Sequence, residues 1–357
     1  MLDNNDAVSE NYSPSASAEQ VTEDKPVVNR YNTWGPKNLS ADPTKIPLWP
    51  IVAGLGCFIG FQVAFGVLYL IVSAIQGAGW VENLIGFDPN SGQISPDTSS
   101  VEYPFGFILG SLIIGWVGLL VGVWFAGRRT TGGWKKVVLW KFDWKKDILI
   151  AVVFTIVFRL LETTVGVLLD KVWHVDVSKL GNTGILSDFT GWKQVCILFG
   201  AAVCAPIVEE LFFRGVFLRA WVEKLKLPGT ETYAVAGSVT VFIIVCLYTF
   251  ISSFPLPVTV ALIVAAATLL TWNLRKRKTG WAHSGAVISI LLSSFTFGLL
   301  HAQTTPAATA YTVASTAIIG AMLGIMYLKT RRLGTTVLAH VALNSSAVLM
   351  LLLFGVS

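Results

Sequence analysis

The sequence predicts an all-α, polytopic membrane protein in which about nine transmembrane helices form a bundle with an internal polar cavity. Hydrophobic residues make up 54% of the 357 positions and charged residues only 13%, whereas soluble domains carry roughly 25% charged residues. Nine apolar runs approach the length of about 20 residues that crosses the hydrocarbon core of a bilayer. Basic loops recur after every second run, as in membrane proteins of fixed orientation. A soluble globular fold is therefore excluded.

The candidate spans follow one another closely along the chain. They lie at about 48–76, 104–127, 147–169, 195–222, 233–252, 256–273, 283–303, 307–328 and 333–354. The fifth and sixth spans are joined only by SFPLP, which suits a tight hairpin. Residues 1–46 form a polar tail without the apolar centre of a signal peptide. We expect this tail to be disordered, because it cannot bury enough apolar surface to become ordered.

The loops between the spans differ in charge. The segment 78–103 contains four acidic residues and no Lys or Arg, whereas 128–146 contains seven Lys and Arg residues. Basic residues return at 275–278 and at 329–332. Since Lys and Arg collect on the cytoplasmic side, we expect a multi-pass protein of the cell membrane with a cytoplasmic N-terminus and an external C-terminus. The net charge of +5 is spread over these loops, so we expect the lipid bilayer, and no nucleic acid, as a partner.

The fourth apolar run carries charges that are costly in lipid. It contains Glu209, Glu210 and Arg214 within PIVEELFFRG, and an ionisable group at the bilayer centre costs about 2.5 kcal/mol or more. Glu210 and Arg214 are four residues apart and share a helical face, so a structural ion pair is one explanation for them. Glu209 has no such partner on its own helix and is the sharper candidate for a functional group.

Two later apolar runs carry polar residues at the same spacing. His301 lies four residues after Phe297, and His340 lies four residues before Asn344. Residues spaced in this way lie on one face of a helix, so three helices can direct these side chains and Glu209 into one cavity. Either histidine alone is better explained by a hydrogen bond between helices than by catalysis. Their combination with the glutamates favours a functional site.

This set of side chains suits hydrolysis of an amide by water. A buried glutamate beside a histidine can deprotonate water, and a second histidine with an asparagine amide can stabilise the oxyanion. No Ser or Cys is paired with a base, which makes a covalent acyl-enzyme less attractive. A divalent metal such as zinc, held by Glu209, His301 and His340, is an alternative that the sequence leaves open, although the HExxH signature is absent.

A carrier that uses the same residues as a proton relay is a further alternative. Internal repeats would favour a carrier, and the sequence shows none. Arg159 and Glu162 in the third run are three residues apart. We expect them to neutralise each other as a structural pair.

The three polar motifs together resemble a known family. EELFFRG matches an EExxxR motif, FGLLH an FxxxH motif and HVALN an HxxxN motif, in that order. The sequence thus resembles the CAAX-protease and bacteriocin-processing family (CPBP or Abi), which includes the type II CAAX prenyl endopeptidases. The resemblance covers about residues 195–350. It implies an all-helical membrane bundle with an internal cavity.

The resemblance also implies roles for the motif residues. Glu209 and His301 would activate the attacking water, while His340 and Asn344 would stabilise the oxyanion. Glu210 and Arg214 would organise the site or contact substrate, and Phe297 would pack beside His301. The implied activity is that of an intramembrane endopeptidase acting on a peptide or on a membrane-tethered, CAAX-like segment. A non-catalytic protein of the same fold, acting in bacteriocin self-immunity or as a membrane scaffold, is the alternative.

The domain organisation follows from this resemblance, with two difficulties. Transmembrane helices at 47–194 would precede a protease core at 195–357, which carries an apparent hairpin insertion at about 233–273. The insertion departs from relatives that run almost directly from the first motif to the second. In addition, straight full-length helices would separate His301 from His340 along the membrane normal, since His301 ends its span and His340 begins its own.

Overall fold

The computed structural model describes residues 46–76, 103–130, 133–138, 141–173, 189–225, 281–302 and 306–354. Every regular element within these ranges is helical. The helices are α1 (Trp49–Ile75), α2 (Phe105–Arg129), α3 (Trp134–Val137), α4 (Trp144–Trp173), α5 (Gly191–Lys224), α6 (Trp281–Leu299), α7 (Pro306–Thr330) and α8 (Leu333–Phe354).

The helices confirm an all-helical, polytopic membrane protein. Within the described ranges, five are long and apolar enough to cross a membrane: Trp49–Ile75, Phe105–Arg129, Gly191–Lys224, Tyr311–Thr330 and Leu333–Leu353. The spans predicted at 233–252 and 256–273 lie outside the described residues, as does the predicted tail up to residue 45. Ile46, which the sequence placed in that tail, is buried, and its N–H donates to Glu223 at 2.9 Å.

Helix α6 is shorter than the span predicted at 283–303. It ends at Leu299, where the N–H of His301 bonds back to the Gly298 carbonyl at 2.9 Å. The expected separation of the two histidines is not observed, since His301 Nε2 and His340 Nε2 each lie 3.8 Å from a carboxylate oxygen of Glu209.

Helices α1 and α2 pack closely along each other through glycines. A Cβ atom at Gly118 would lie 2.5 Å from the backbone N and Cα of Phe58. Backbone atoms cannot move aside as a flexible side chain can. Small residues at such crossings let membrane helices gain van der Waals contact.

We expect Gly118→Ala to destabilise the protein by about 1–3 kcal/mol, because the added methyl group forces the α1 and α2 backbones apart. Gly66→Ala on α1 is the matched control, since a Cβ atom there meets no atom within 4 Å. Thermal unfolding of both variants in one detergent measures the difference. Equal midpoints for the two variants would contradict the close approach.

A buried polar network joins the first turns of α4 and α8. Asp147 has no solvent-exposed side-chain surface, and its Oδ1 accepts hydrogen bonds from Arg332 Nη2 at 2.7 Å and from Thr335 Oγ1 at 2.8 Å. Its Oδ2 accepts the N–H of Asp143 at 2.6 Å. Farther along, Phe154 and Phe158 of α4 pack with Leu343 of α8. The position of α8 is thus set by α4.

Helix α5 is one continuous helix with two π-helical segments, Gly200–Cys204 and Phe213–Leu218. The first segment directly precedes Pro206. A proline removes an N–H from the helix, and its ring crowds the carbonyl four residues earlier. A wider turn relieves that crowding, and the N–H of Ala205 accordingly bonds to the Gly200 carbonyl. π-Helical turns recur at functional sites, and these two flank the Glu209–Glu210 pair.

Candidate active site

A buried ion pair with a histidine forms the base of the site. Arg214 Nη1 lies 2.8 Å from Glu210 Oε1, and the two side chains are 1% and 0% exposed. The Nδ1 atom of His340 lies 3.0 Å from the same carboxylate oxygen. The second amino group of Arg214, Nη2, donates to the Gly320 carbonyl of α7 at 3.1 Å. Glu210 thus joins α5 to α8, and Arg214 joins α5 to α7.

Glu209 lies about 100° around the same helical turn from Glu210 and meets both histidines. Its Oε1 is 3.8 Å from His301 Nε2, and its Oε2 is 3.8 Å from His340 Nε2. The Glu209 side chain is 14% exposed, unlike the fully buried Glu210. Distances of 3.8 Å are too long for direct hydrogen bonds, and polar groups so spaced are commonly bridged by water. Glu209 is therefore partly accessible to solvent and lies beside a ring nitrogen of each histidine.

His301 is oriented by the end of α6. Its backbone N–H bonds to Gly298, and the N–H of Leu300 bonds to Thr296, so neither takes the carbonyl of Phe297. The imidazole Nδ1 lies 2.8 Å from that carbonyl oxygen. A carbonyl only accepts, so Nδ1 carries the proton, and in the neutral ring Nε2 presents its lone pair toward Glu209.

Asn344 is oriented by the first π-helical segment of α5. In an α-helix the Ala201 carbonyl would accept the N–H of Ala205, but that N–H bonds to Gly200. The residue after Ala205 is Pro206, which has no N–H to offer. The Asn344 amide Nδ2 donates to the Ala201 carbonyl instead, at 3.0 Å. One of its two N–H groups is thereby used to join α8 to α5.

Phe297 forms an aromatic wall between the charged groups. Its ring centroid lies 4.7 Å from that of His301 and 5.8 Å from that of His340, both edge-to-face. The guanidinium carbon of Arg214 lies 5.1 Å from the same ring centroid, within the range of a cation–π contact. Phe297 is itself buried. It holds the imidazoles and the ion pair at fixed separations.

The structure thus brings together, from α5, α8 and the end of α6, the predicted residues Glu209, Glu210, Arg214, Phe297, His301 and His340. Asn344 joins α8 to α5 through the Ala201 carbonyl. Arg159 and Glu162 pair with each other on α4, as predicted. Sequence reasoning did not single out the carbonyls of Ala201 and Gly320, which orient Asn344 and Arg214. Pro206, three residues before Glu209, is a signal that could have indicated a free carbonyl in α5. No sequence signal marks Gly320.

The donor set does not fit a metal ion in this arrangement. Among the residues that the structure describes, no three His, Cys, Asp or Glu side chains lie close enough together to hold one. Glu209 faces each histidine with a different oxygen atom. A mechanism for this site is therefore derived from the side chains and water.

Comparisons with known proteins add a family assignment for this part of the chain. Residues 191–286 and 270–346 match the family model described as "Type II CAAX prenyl endopeptidase Rce1-like". No curated protein and no solved structure matches the chain significantly. The matched residues include all three motifs, and the resemblance that those motifs carry is confirmed.

Proposed function

Because residues 191–346 match the Rce1-like type II CAAX prenyl endopeptidases, we propose that this membrane protein is an intramembrane endopeptidase. It hydrolyses a peptide bond in a peptide or in a membrane-tethered, CAAX-like segment. The observation that carries the proposal is the position of Glu209, a partly accessible carboxylate 3.8 Å from a ring nitrogen of each histidine. The predicted orientation, with a cytoplasmic N-terminus and an external C-terminus, is part of the proposal.

The attacking water is activated between Glu209 and His301. Glu209 Oε1 and the lone pair of His301 Nε2 are both acceptors, and a water molecule can donate one O–H to each. As the water oxygen attacks the carbonyl carbon, its proton passes to Glu209. The same carboxyl group then returns the proton to the leaving amine nitrogen when the C–N bond breaks. Such general acid–base catalysis contributes about 10²- to 10⁴-fold.

In this proposal His340 and Asn344 stabilise the oxyanion of the tetrahedral intermediate. His340 lies between the two carboxylates, with Nδ1 3.0 Å from Glu210 Oε1 and Nε2 3.8 Å from Glu209 Oε2. As an imidazolium it would donate Nδ1–H to Glu210. The Nε2–H of the imidazolium and the second N–H of Asn344 are left to donate to the oxyanion.

Peptide cleavage by the purified full-length protein in detergent tests this function. A library of plain and prenylated peptides is incubated in ¹⁸O-labelled water, and the products are identified by mass spectrometry with and without a chelator. We expect cleavage that continues with the chelator and one ¹⁸O atom in each new carboxylate. Loss of cleavage with the chelator would assign Glu209, His301 and His340 to a metal site. No cleavage of any peptide by well-folded protein would favour the immunity or scaffold function.

A further inference from the structure

Arg331, between α7 and α8, has an unusual backbone conformation. Its φ angle is +60°, and among the described residues no other non-glycine residue has a positive φ. The N–H of Arg331 bonds to the Tyr327 carbonyl at 2.8 Å and ends α7. Glycine is the usual residue at this left-handed position after a helix, because a Cβ atom is disfavoured there. The chain thus accepts backbone strain to place an arginine side chain at this position.

The Arg331 side chain has donors without acceptors. Its Nε and Nη2 atoms are buried and have no hydrogen-bond partner in the described part of the chain. The carboxylate on the neighbouring α5, Glu223, is already engaged. Its Oε1 lies 2.9 Å from Arg219 Nε, and its Oε2 accepts the N–H of Ile46 at 2.9 Å. Buried donors without partners are rare in folded proteins and indicate a missing ion or water.

Among the described residues, the charges around Arg331 do not balance. Arg219 and Arg331 supply two positive charges against the single negative charge of Glu223. Burial, together with the charge of Arg219, lowers the pKa of Arg331 to about 10 despite the opposing effects of Tyr327 and Glu223. The guanidinium nevertheless remains charged at neutral pH. An anion is the ligand that this group of residues lacks.

The position of Arg331 indicates which kind of anion would bind there. It lies at the junction of two helices of membrane-crossing length, which is the level of the lipid headgroups. It is nine residues from His340, or roughly 13 Å along a helix, and the buried side chains of Leu218, Leu333 and Val337 pack together between these levels. A substrate bound at Glu209 is therefore separated from Arg331 by packed core. A phosphate group is present at the level of the lipid headgroups, and its oxygen atoms match the planar N–H donors of a guanidinium.

We propose that Arg331, supported by Arg219, is a binding site for a phosphate group, supplied by an anionic lipid headgroup or by free phosphate. The site is independent of the peptidase activity. Binding neutralises the surplus charge and gives the buried N–H groups their acceptors. It thereby stabilises the junction of α7 and α8, from which α8 carries His340 into the active site.

Thermal unfolding of the full chain tests the site. Wild type and Arg331→Gly are compared in nanodiscs of phosphatidylcholine alone and of phosphatidylcholine with phosphatidylglycerol. We expect the anionic lipid to raise the wild-type midpoint by about 5 °C and to leave that of Arg331→Gly unchanged. Glycine relieves the strained backbone, so the variant should unfold in phosphatidylcholine no earlier than wild type. Lys329→Gln is the matched control, because it removes a charge at the same end of α7 and should keep the lipid response.

The source of the phosphate is decided in lipid-free detergent. If millimolar inorganic phosphate raises the unfolding midpoint and chloride at equal ionic strength does not, the ligand is free phosphate. A response to phosphatidylglycerol alone assigns the lipid headgroup. An equal lipid response in wild type and Arg331→Gly would overturn the proposal, as would a wild type insensitive to both probes. If Arg331→Gly does not fold, Arg331→Asn, which also tolerates the left-handed conformation, replaces it under the same criteria.

Discussion

Replacing Glu209 by glutamine is expected to lower kcat about 1,000-fold while KM changes little. The amide has the size of the carboxylate but cannot accept the proton of the attacking water. Within the described ranges, Glu209 approaches its two histidine neighbours only to 3.8 Å, and its side chain is 14% exposed, so we expect the fold not to depend on its charge. The variant should therefore unfold at about the same temperature as wild type.

The measurement is kcat and KM on the best substrate of the peptide library, together with the thermal midpoint of the same preparation. Glu162→Gln is the matched control, since Glu162 also lies within an apolar helix but pairs with Arg159 and not with the two histidines. We expect the control to keep more than half of the wild-type kcat. If Glu209→Gln keeps a kcat within tenfold of wild type, Glu209 is not the base.

Replacing Arg214 by methionine is expected to destabilise the protein by about 3–5 kcal/mol, because it leaves the buried Glu210 carboxylate without its guanidinium. The loss includes the bond from Arg214 Nη2 to the Gly320 carbonyl and the contact with the Phe297 ring. Unfolding by denaturant in mixed micelles measures the change. The effect should exceed that of Gly118→Ala.

A double-mutant cycle separates the ion pair from simple packing. Glu210→Gln together with Arg214→Met removes both charges, so we expect the double variant to recover much of the stability lost by Arg214→Met alone. Recovery is incomplete, since His340 also loses a charged acceptor. Strictly additive effects of the two substitutions would show that the pair contributes no coupling energy, contrary to the 2.8 Å contact.

The sequence alone predicted the membrane-embedded helical fold, because burial in lipid requires long apolar runs that are visible without a structure. It also indicated the ion pair of Glu210 and Arg214, since a spacing of four residues places two side chains on one helical face. The three motifs pointed to the CAAX-protease family before any geometry was known. Local spacing and composition carry all of this information.

Other features required the tertiary structure, because they depend on contacts between residues far apart in the sequence. The sequence placed His301 and His340 at different depths, whereas in the structure both lie 3.8 Å from Glu209. Asn344 is held by a carbonyl that is free only because Ala205 bonds to Gly200 and Pro206 has no N–H. His340 touches Glu210 across 130 positions of the chain. The sequence by itself thus determined which polar groups lie within the membrane-spanning helices. Only the tertiary structure decided which of their atoms meet. The reason is that helix ends and π-helical turns leave backbone carbonyls free, and these carbonyls orient the polar side chains.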